Sequence, residues 1–161
     1  MTANDPKDDP ACHAASTTLR RLVSFVAAAF DARYAFVAGL AGREGGLGTR
    51  RASLWLARDY GLSPALERLD DLAVEPACVA RGDYLALLRG LWPHDPALAR
   101  VTTTSCLSVP LLDPEGRLLG HLGLVESGQV FRLYGKERLR PLARLAAAEL
   151  RTWAETVLPR E

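Results

Sequence analysis

The sequence predicts an α+β domain: an antiparallel sheet with its flanking helices on one face and a lid-like run of short elements on the other. Three features carry this expectation. Ser105–Ser127, SCLSVPLLDPEGRLLGHLGLVES, alternates as two apolar strands joined by Asp113-Pro114-Glu115-Gly116. Pro at the second turn position fixes φ and Gly at the fourth relieves the exit. Leu19, Leu22, Val23, Val26 and Phe30 recur at helical spacing before this hairpin. Leu139, Leu142, Leu145, Ala146, Glu149, Leu150, Trp153 and Val157 mark a longer helix after it.

In chain order, residues 1–15 carry Asp, Pro, Lys and small residues without apolar periodicity, and a disordered leader is expected there. A single domain is expected over residues 16–158. Ser16, Thr17 or Thr18 is a candidate cap for the first helix, which should end near Asp31-Ala32. Arg33–Leu40 and Arg50–Arg58 read as strands joined by a Gly-rich connection, with Trp55 on the face opposite Leu54 and Leu56. From Tyr60 to Ala99 the pattern breaks into small pieces: a turn at Ser63-Pro64, a short helix after Glu75-Pro76, a brief strand running into helix from Tyr84, and a short helix capped by Asp95 with Pro96 at its first position. Connections this long are commonly lids or binding segments. A loop is expected over Ser127–Tyr134. The last helix is expected over Glu137–Val157, with Pro141 in its first turn because proline cannot donate the intrahelical bond.

The two faces of the central hairpin differ. Leu107, Val109, Leu111, Leu118, Leu122 and Leu124 fall on one face, the expected helix-packing side, where Leu107, Val109, Leu122 and Leu124 should be nearly fully buried. Cys106, Ser108 and Pro110 share the other face with Leu119, His121, Gly123 and Val125. Small and polar groups on a covered face either leave room for a ligand or fill a tight core.

Composition excludes several function classes. The net charge of +1 over 161 residues gives no broad basic surface, so nucleic acid is not an expected partner. No apolar run approaches the ~20 residues needed to cross a bilayer. The amino terminus, MTANDPKDDP, lacks a secretory pattern, and the three cysteines, Cys12, Cys78 and Cys106, have no CxxC spacing. Reduced thiols in a cytoplasm are therefore expected. No metal site is expected, because adjacent Cys12 and His13 alone do not make one.

The hairpin stretch resembles the GAF domain family of small-molecule sensors, in which an aromatic–Leu–Gly–Val–Pro–Leu strand leads through Asp-x-x-Gly to a glycine-containing strand. Cys106 stands where the family often has Tyr, and Ser108 where it often has Gly. Trp92-Pro93-His94-Asp95 resembles the family's Phe-Pro-x-Asp helix start, and Leu145-Ala146-Ala147-Ala148-Glu149-Leu150 its last-helix signature. The resemblance covers roughly Ser16–Val157. It implies a GAF-like, PAS-related antiparallel sheet of five or six strands, terminal helices on one face and a ligand pocket on the other. It also implies a bacterial signal-transduction setting beside an output domain such as a histidine kinase, a diguanylate cyclase or a transcription activator. The cyclic-nucleotide signature of some members is absent. So is a Cys-His pair in the lid for a bilin. His121 could reach a haem, although a lone histidine on a covered strand is more often a hydrogen-bonded core residue.

Two functions from different classes follow. The first is a non-catalytic sensor whose unknown small-molecule ligand lies between sheet and lid. Trp55, Tyr84, Trp92, Cys106, Ser108 and His121 are the candidate ligand-binding residues: aromatics for contact area, Ser and His for orientation. The second is a GAF-fold free methionine-(R)-sulfoxide reductase using Cys106 and Cys78, since that chemistry needs a low-pKa thiolate and a resolving thiol. The segment Thr102–Leu107 departs from the reductase pattern. A Cys106–His94–Asp95 nucleophile arrangement is weaker still. A homodimer through the first and last helices is also expected. The last helix's stripe is wide, and Trp153 lies near the chain's end, where burial would call for a second copy.

Overall fold

The computed structural model describes residues 10–42, 50–58, 72–100, 106–125 and 129–157. Helix α1 (Pro10–Ala29) leads into strands β1 (Tyr34–Ala41), β2 (Arg51–Arg58) and β3 (Leu72–Ala73). Three short helices follow: α2 (Pro76–Arg81), α3 (Tyr84–Leu91) and α4 (Pro96–Arg100). The hairpin β4 (Cys106–Leu112) and β5 (Leu118–Val125) then leads to α5 (Gln129–Val157). The sheet is antiparallel, in the order β3-β2-β1-β5-β4. All eight residues of the central β1 are buried.

α1 begins earlier than the candidate caps suggest. Cys12 and Ala15 extend the buried stripe of Leu19, Leu22, Val23 and Val26, so residues 10–15 are helix and not leader. Pro10 suits a first helical position because its missing N–H would have no partner there. None of the three candidate hydroxyls, at Ser16, Thr17 and Thr18, serves as a cap, since all lie inside the helix. Thr18 Oγ1 donates back to the Ala14 carbonyl at 3.0 Å, and Ser16 Oγ accepts from the Trp55 indole at 2.8 Å. The helix closes with Asp31 in the left-handed region (φ 49°) and Ala32 N–H donating to the Ala27 carbonyl. Residues 1–9, the Ser63-Pro64 turn and most of the Gly-rich connection lie outside the described residues.

α5 also starts early, at Gln129, where a loop was expected, and carries Pro141 in its interior. Proline there forfeits one i→i−4 bond. Helical turns on both sides are pinned by buried Leu139, Ala146, Leu150, Trp153 and Val157. The segment from Tyr84 is helix throughout, because buried Tyr84 and Leu88, four residues apart, dock one helical face.

The sheet separates two apolar cores. On one side α1 and α5 pack over Val37, Ala35, Trp55, Val109, Leu111, Leu122 and Leu124. On the other, α2, α3 and α4 contribute Val79, Tyr84, Leu88 and Leu98 to a core with Tyr34, Phe36, Leu54, Leu56 and Val125. Close approach on the helix side depends on Gly39. A Cβ there would lie 2.7 Å from Leu150 Cδ2 and 3.0 Å from the Trp55 ring.

Three placements correct the sequence reading. Trp153 is buried within the single chain, edge-on to Trp55 with ring centroids 5.3 Å apart, so its burial needs no second copy. Leu119 packs on the helix side although strict alternation puts it with His121. The register passes from Leu111↔Gly120 to Leu112↔Leu118, and the extra residue, Leu119, forms a bulge that changes its facing. Leu107 is only half-buried, because β4 ends the sheet and is covered from one side less completely.

Candidate functional site

The polar group closest to the expected binding face is built around His121 of β5. Its neighbours in the strand, Gly120 and Gly123, are small for physical reasons. A Cβ on Gly120 would collide with the Ala38 carbonyl, and one on Gly123 would enter the Phe36 ring. With no side chain at position 123, Phe36 reaches Tyr84 of α3, the ring centroids being 4.5 Å apart. That contact sets the Tyr84 phenol over His121, edge-to-face at 5.2 Å between centroids, with Oη 2.5 Å from Nδ1.

Tyr84 Oη also lies 3.5 Å from the Val79 carbonyl. Oη carries one proton and two lone pairs, so it pairs with Nδ1 in either imidazole tautomer, donating to Nδ1 or donating to Val79 while accepting from Nδ1–H, and in both the ring keeps the same orientation. Burial holds the His121 pKa below the ordinary histidine value, so the neutral ring is favoured. Burial, followed by the charge of Cys106, raises the Tyr84 pKa, keeping the phenol protonated as a donor. Nε2 faces Gly82, where a Cβ would stand 3.6 Å from both Nε2 and Cε1. Gly82 is in the left-handed region (φ 70°) and closes α2, its N–H donating to the Cys78 and Val79 carbonyls. The Nε2 edge of the imidazole thus sits beneath a helix end that carries no side chain.

Cys106 joins the same face at the start of β4 and is half-buried against the α2–α4 core. Its thiol pKa is pushed up, first by burial and then by the Asp83 carboxylate. Cys78 lies on α2, its Sγ 3.7 Å from Arg81 Nη2 and 4.0 Å from Glu75 Oε2.

A second polar node anchors the far end of the short-helix layer. Asp95, at the α4 start, is buried, and its carboxylate accepts from the Tyr34 hydroxyl and faces Arg33 Nη2 at 3.7 Å. The Trp92 ring packs 5.9 Å from that of Tyr34. The Asp95 carboxylate therefore ties α4 to the beginning of β1.

The structure brings four of the six sequence candidates, Tyr84, Trp92, Cys106 and His121, to the face covered by α2–α4. Trp55 is a correction. Strand alternation places it on the α1/α5 side, donating to Ser16 and packed on Trp153, with the sheet between it and His121. Ser108 lines a groove of about 410 Å³ between β4 and α5, at the sheet edge. Sequence reading missed Asp95 as a buried anchor, Phe36 as the support of Tyr84 and Gly82 as the residue set over His121. A helix cap and an apolar strand position account for the first two without reference to a site. For Gly82, a glycine ending a short helix was the available signal.

Among the described residues no group of three or more His, Cys, Asp or Glu is placed to hold a metal ion, and no helix is long and apolar enough to cross a membrane. No curated protein and no solved structure matches the chain. A family model described as the GAF domain matches residues 15–150.

Proposed function

The chain belongs to the GAF domain family, a regulatory and sensory fold family, and on that premise we propose that it is a non-catalytic sensor domain of a bacterial signal-transduction protein. A small molecule binds between the sheet and the α2–α4 layer. The observation that carries this reading is the Tyr84–His121 pair, which orients an imidazole favoured in its neutral form with its Nε2 edge toward Gly82. The matching ligand chemistry is a small, largely uncharged molecule that makes one hydrogen bond to Nε2 beside the apolar side of the α2–α4 layer. Differential affinity for two arrangements of the short-helix layer would pass through the sheet to α1 and α5. Those helices connect to an output domain such as a histidine kinase, a diguanylate cyclase or a transcription activator, and pair with those of a second copy. The setting is cytoplasmic.

The reductase alternative asks Cys106 to act as a thiolate. Burial and Asp83 both favour its thiol form, which supports the non-catalytic reading. Native mass spectrometry of freshly purified protein tests it. A retained adduct, lost on denaturation and diminished in His121→Ala and Tyr84→Phe, is expected. A bare chain mass together with no thermal shift across a metabolite panel overturns ligand binding. Turnover of free methionine sulfoxide with thioredoxin overturns the non-catalytic assignment.

A further inference from the structure

At the β4 edge of the sheet the structure leaves main chain unpaired beside a groove, apart from the His121 face. One side of β4 pairs with β5, and its other side has no strand partner among the described residues. Alongside it runs a groove of about 410 Å³, formed by residues 108–112 and by Arg140, Ala143, Arg144 and Ala147 of α5. Prolines in sheets sit where the N–H side faces outward. With Pro110 so placed, period-two alternation turns the Ser108 N–H and C=O and the Pro110 carbonyl toward the groove. A short extended chain meets its main-chain complement there.

The groove also has a charge preference. Arg140 and Arg144 are both exposed and lie one helical turn apart on the same wall. Neither forms an ion pair among the described residues, including with exposed Glu137 nearby. The hairpin acids are already engaged: Arg117 lies 3.1 Å from Asp113 and 3.9 Å from Glu115. Four residues of helix rise about 6 Å, close to the roughly 6.6 Å between alternate side chains of a strand. An acid-x-acid pattern on an added strand therefore matches the Arg140–Arg144 repeat. A second copy's β4 does not, because residues 106–112 contain no acid and edge pairing would gather four arginines.

We propose that β4 accepts an extended acidic peptide segment of a partner protein as an added strand, its alternate carboxylates paired with Arg140 and Arg144. Main-chain bonds would give the affinity and the arginines the sequence preference. This surface is separate from the His121 face, so the proposal stands or falls independently of the small-molecule reading.

The test uses fluorescence anisotropy of the full chain with a labelled peptide of alternating Val and Glu. Saturable binding is expected, with loss of about tenfold in affinity in Arg140→Glu/Arg144→Glu and a similar loss when alternate peptide nitrogens are methylated. Circular dichroism checks that the double variant remains folded, and a peptide with Lys in place of Glu should bind weakly to the wild type. Absence of binding overturns the proposal. Equal binding by the N-methylated peptide, or equal competition by tripolyphosphate, reassigns the groove to charge alone and also overturns it. Concentration-dependent self-association abolished by the double variant would make a second copy the occupant and overturn it as well.

Discussion

Gly123 and His121 show how much of the binding face rests on single atoms. A methyl group at position 123 would enter the Phe36 ring, which itself supports Tyr84. Gly123→Ala should therefore destabilise the fold by about 1–3 kcal/mol, as overpacking does, and an unchanged denaturant midpoint would contradict this. His121 links the same face to pH. Its folded pKa lies below the ordinary value of about 6.5, so the unfolded chain takes up a proton first as pH falls. Its contribution to stability is complete above about pH 6.5 and is lost as pH drops from there toward the folded pKa. Denaturant midpoints measured between about pH 7.5 and pH 5 should fall more steeply in wild type than in His121→Asn. Parallel slopes would remove His121 from the buried cluster. These dependences were half legible in the sequence: the small, polar row of β5 stood out, but the partners of its members are 37 and more residues away along the chain.

Elements with strong periodicity were the legible part of the fold. The β4–β5 hairpin, the two helical stripes and the pair of early strands all follow from spacing, and Leu122 lies fully buried against α1 and α5 as its row predicts. Leu122→Ala should cost ~2–5 kcal/mol, and a loss below about 1 kcal/mol in urea would displace the hairpin from the core. Boundaries were less legible, because tertiary burial outweighed local signals. Cys12 and Ala15 hold α1 in helix before any hydroxyl cap, and Leu139 helps carry α5 through a proline. The Pro141 position retains that local cost. Pro141→Ala should raise the unfolding midpoint by the equivalent of about 1–3 kcal/mol, since an interior proline costs roughly 3 kcal/mol relative to alanine. A lowered midpoint would mean that Pro141 fixes a shape the helix needs. The bulge at Leu119 had no visible signal beyond the glycine beside it, which adopts φ 152°.

At the scale of the molecule, one sheet divides two cores, and this division decides what each face is free to do. Trp55 illustrates the limit of reading faces from sequence. Alternation set it opposite Leu54 and Leu56, but which of the two sides carries the short helices depends on packing that involves Trp153 over 90 residues later. Burial of Trp153 also changes how the proposed dimer is tested. Trp153→Glu should unfold the chain, whereas Leu145 and Phe25, each 59% exposed on α5 and α1, are the residues available to a second copy. Leu145→Glu should yield a folded monomer by sedimentation, and a wild-type chain that is already monomeric at tens of micromolar (roughly the range where weak dimers populate) would end the dimer proposal. β1 belongs to both cores and is hydrogen-bonded on both sides. The layer formed by α2, α3 and α4 contacts only one of them, anchored by Asp95 and Tyr84. Amide exchange should therefore separate into two tiers. Protons of the short helices exchange through partial openings that leave α1, α5 and the sheet assembled, while those of β1 exchange only when the whole domain opens, making the middle strand the slowest clock in the molecule.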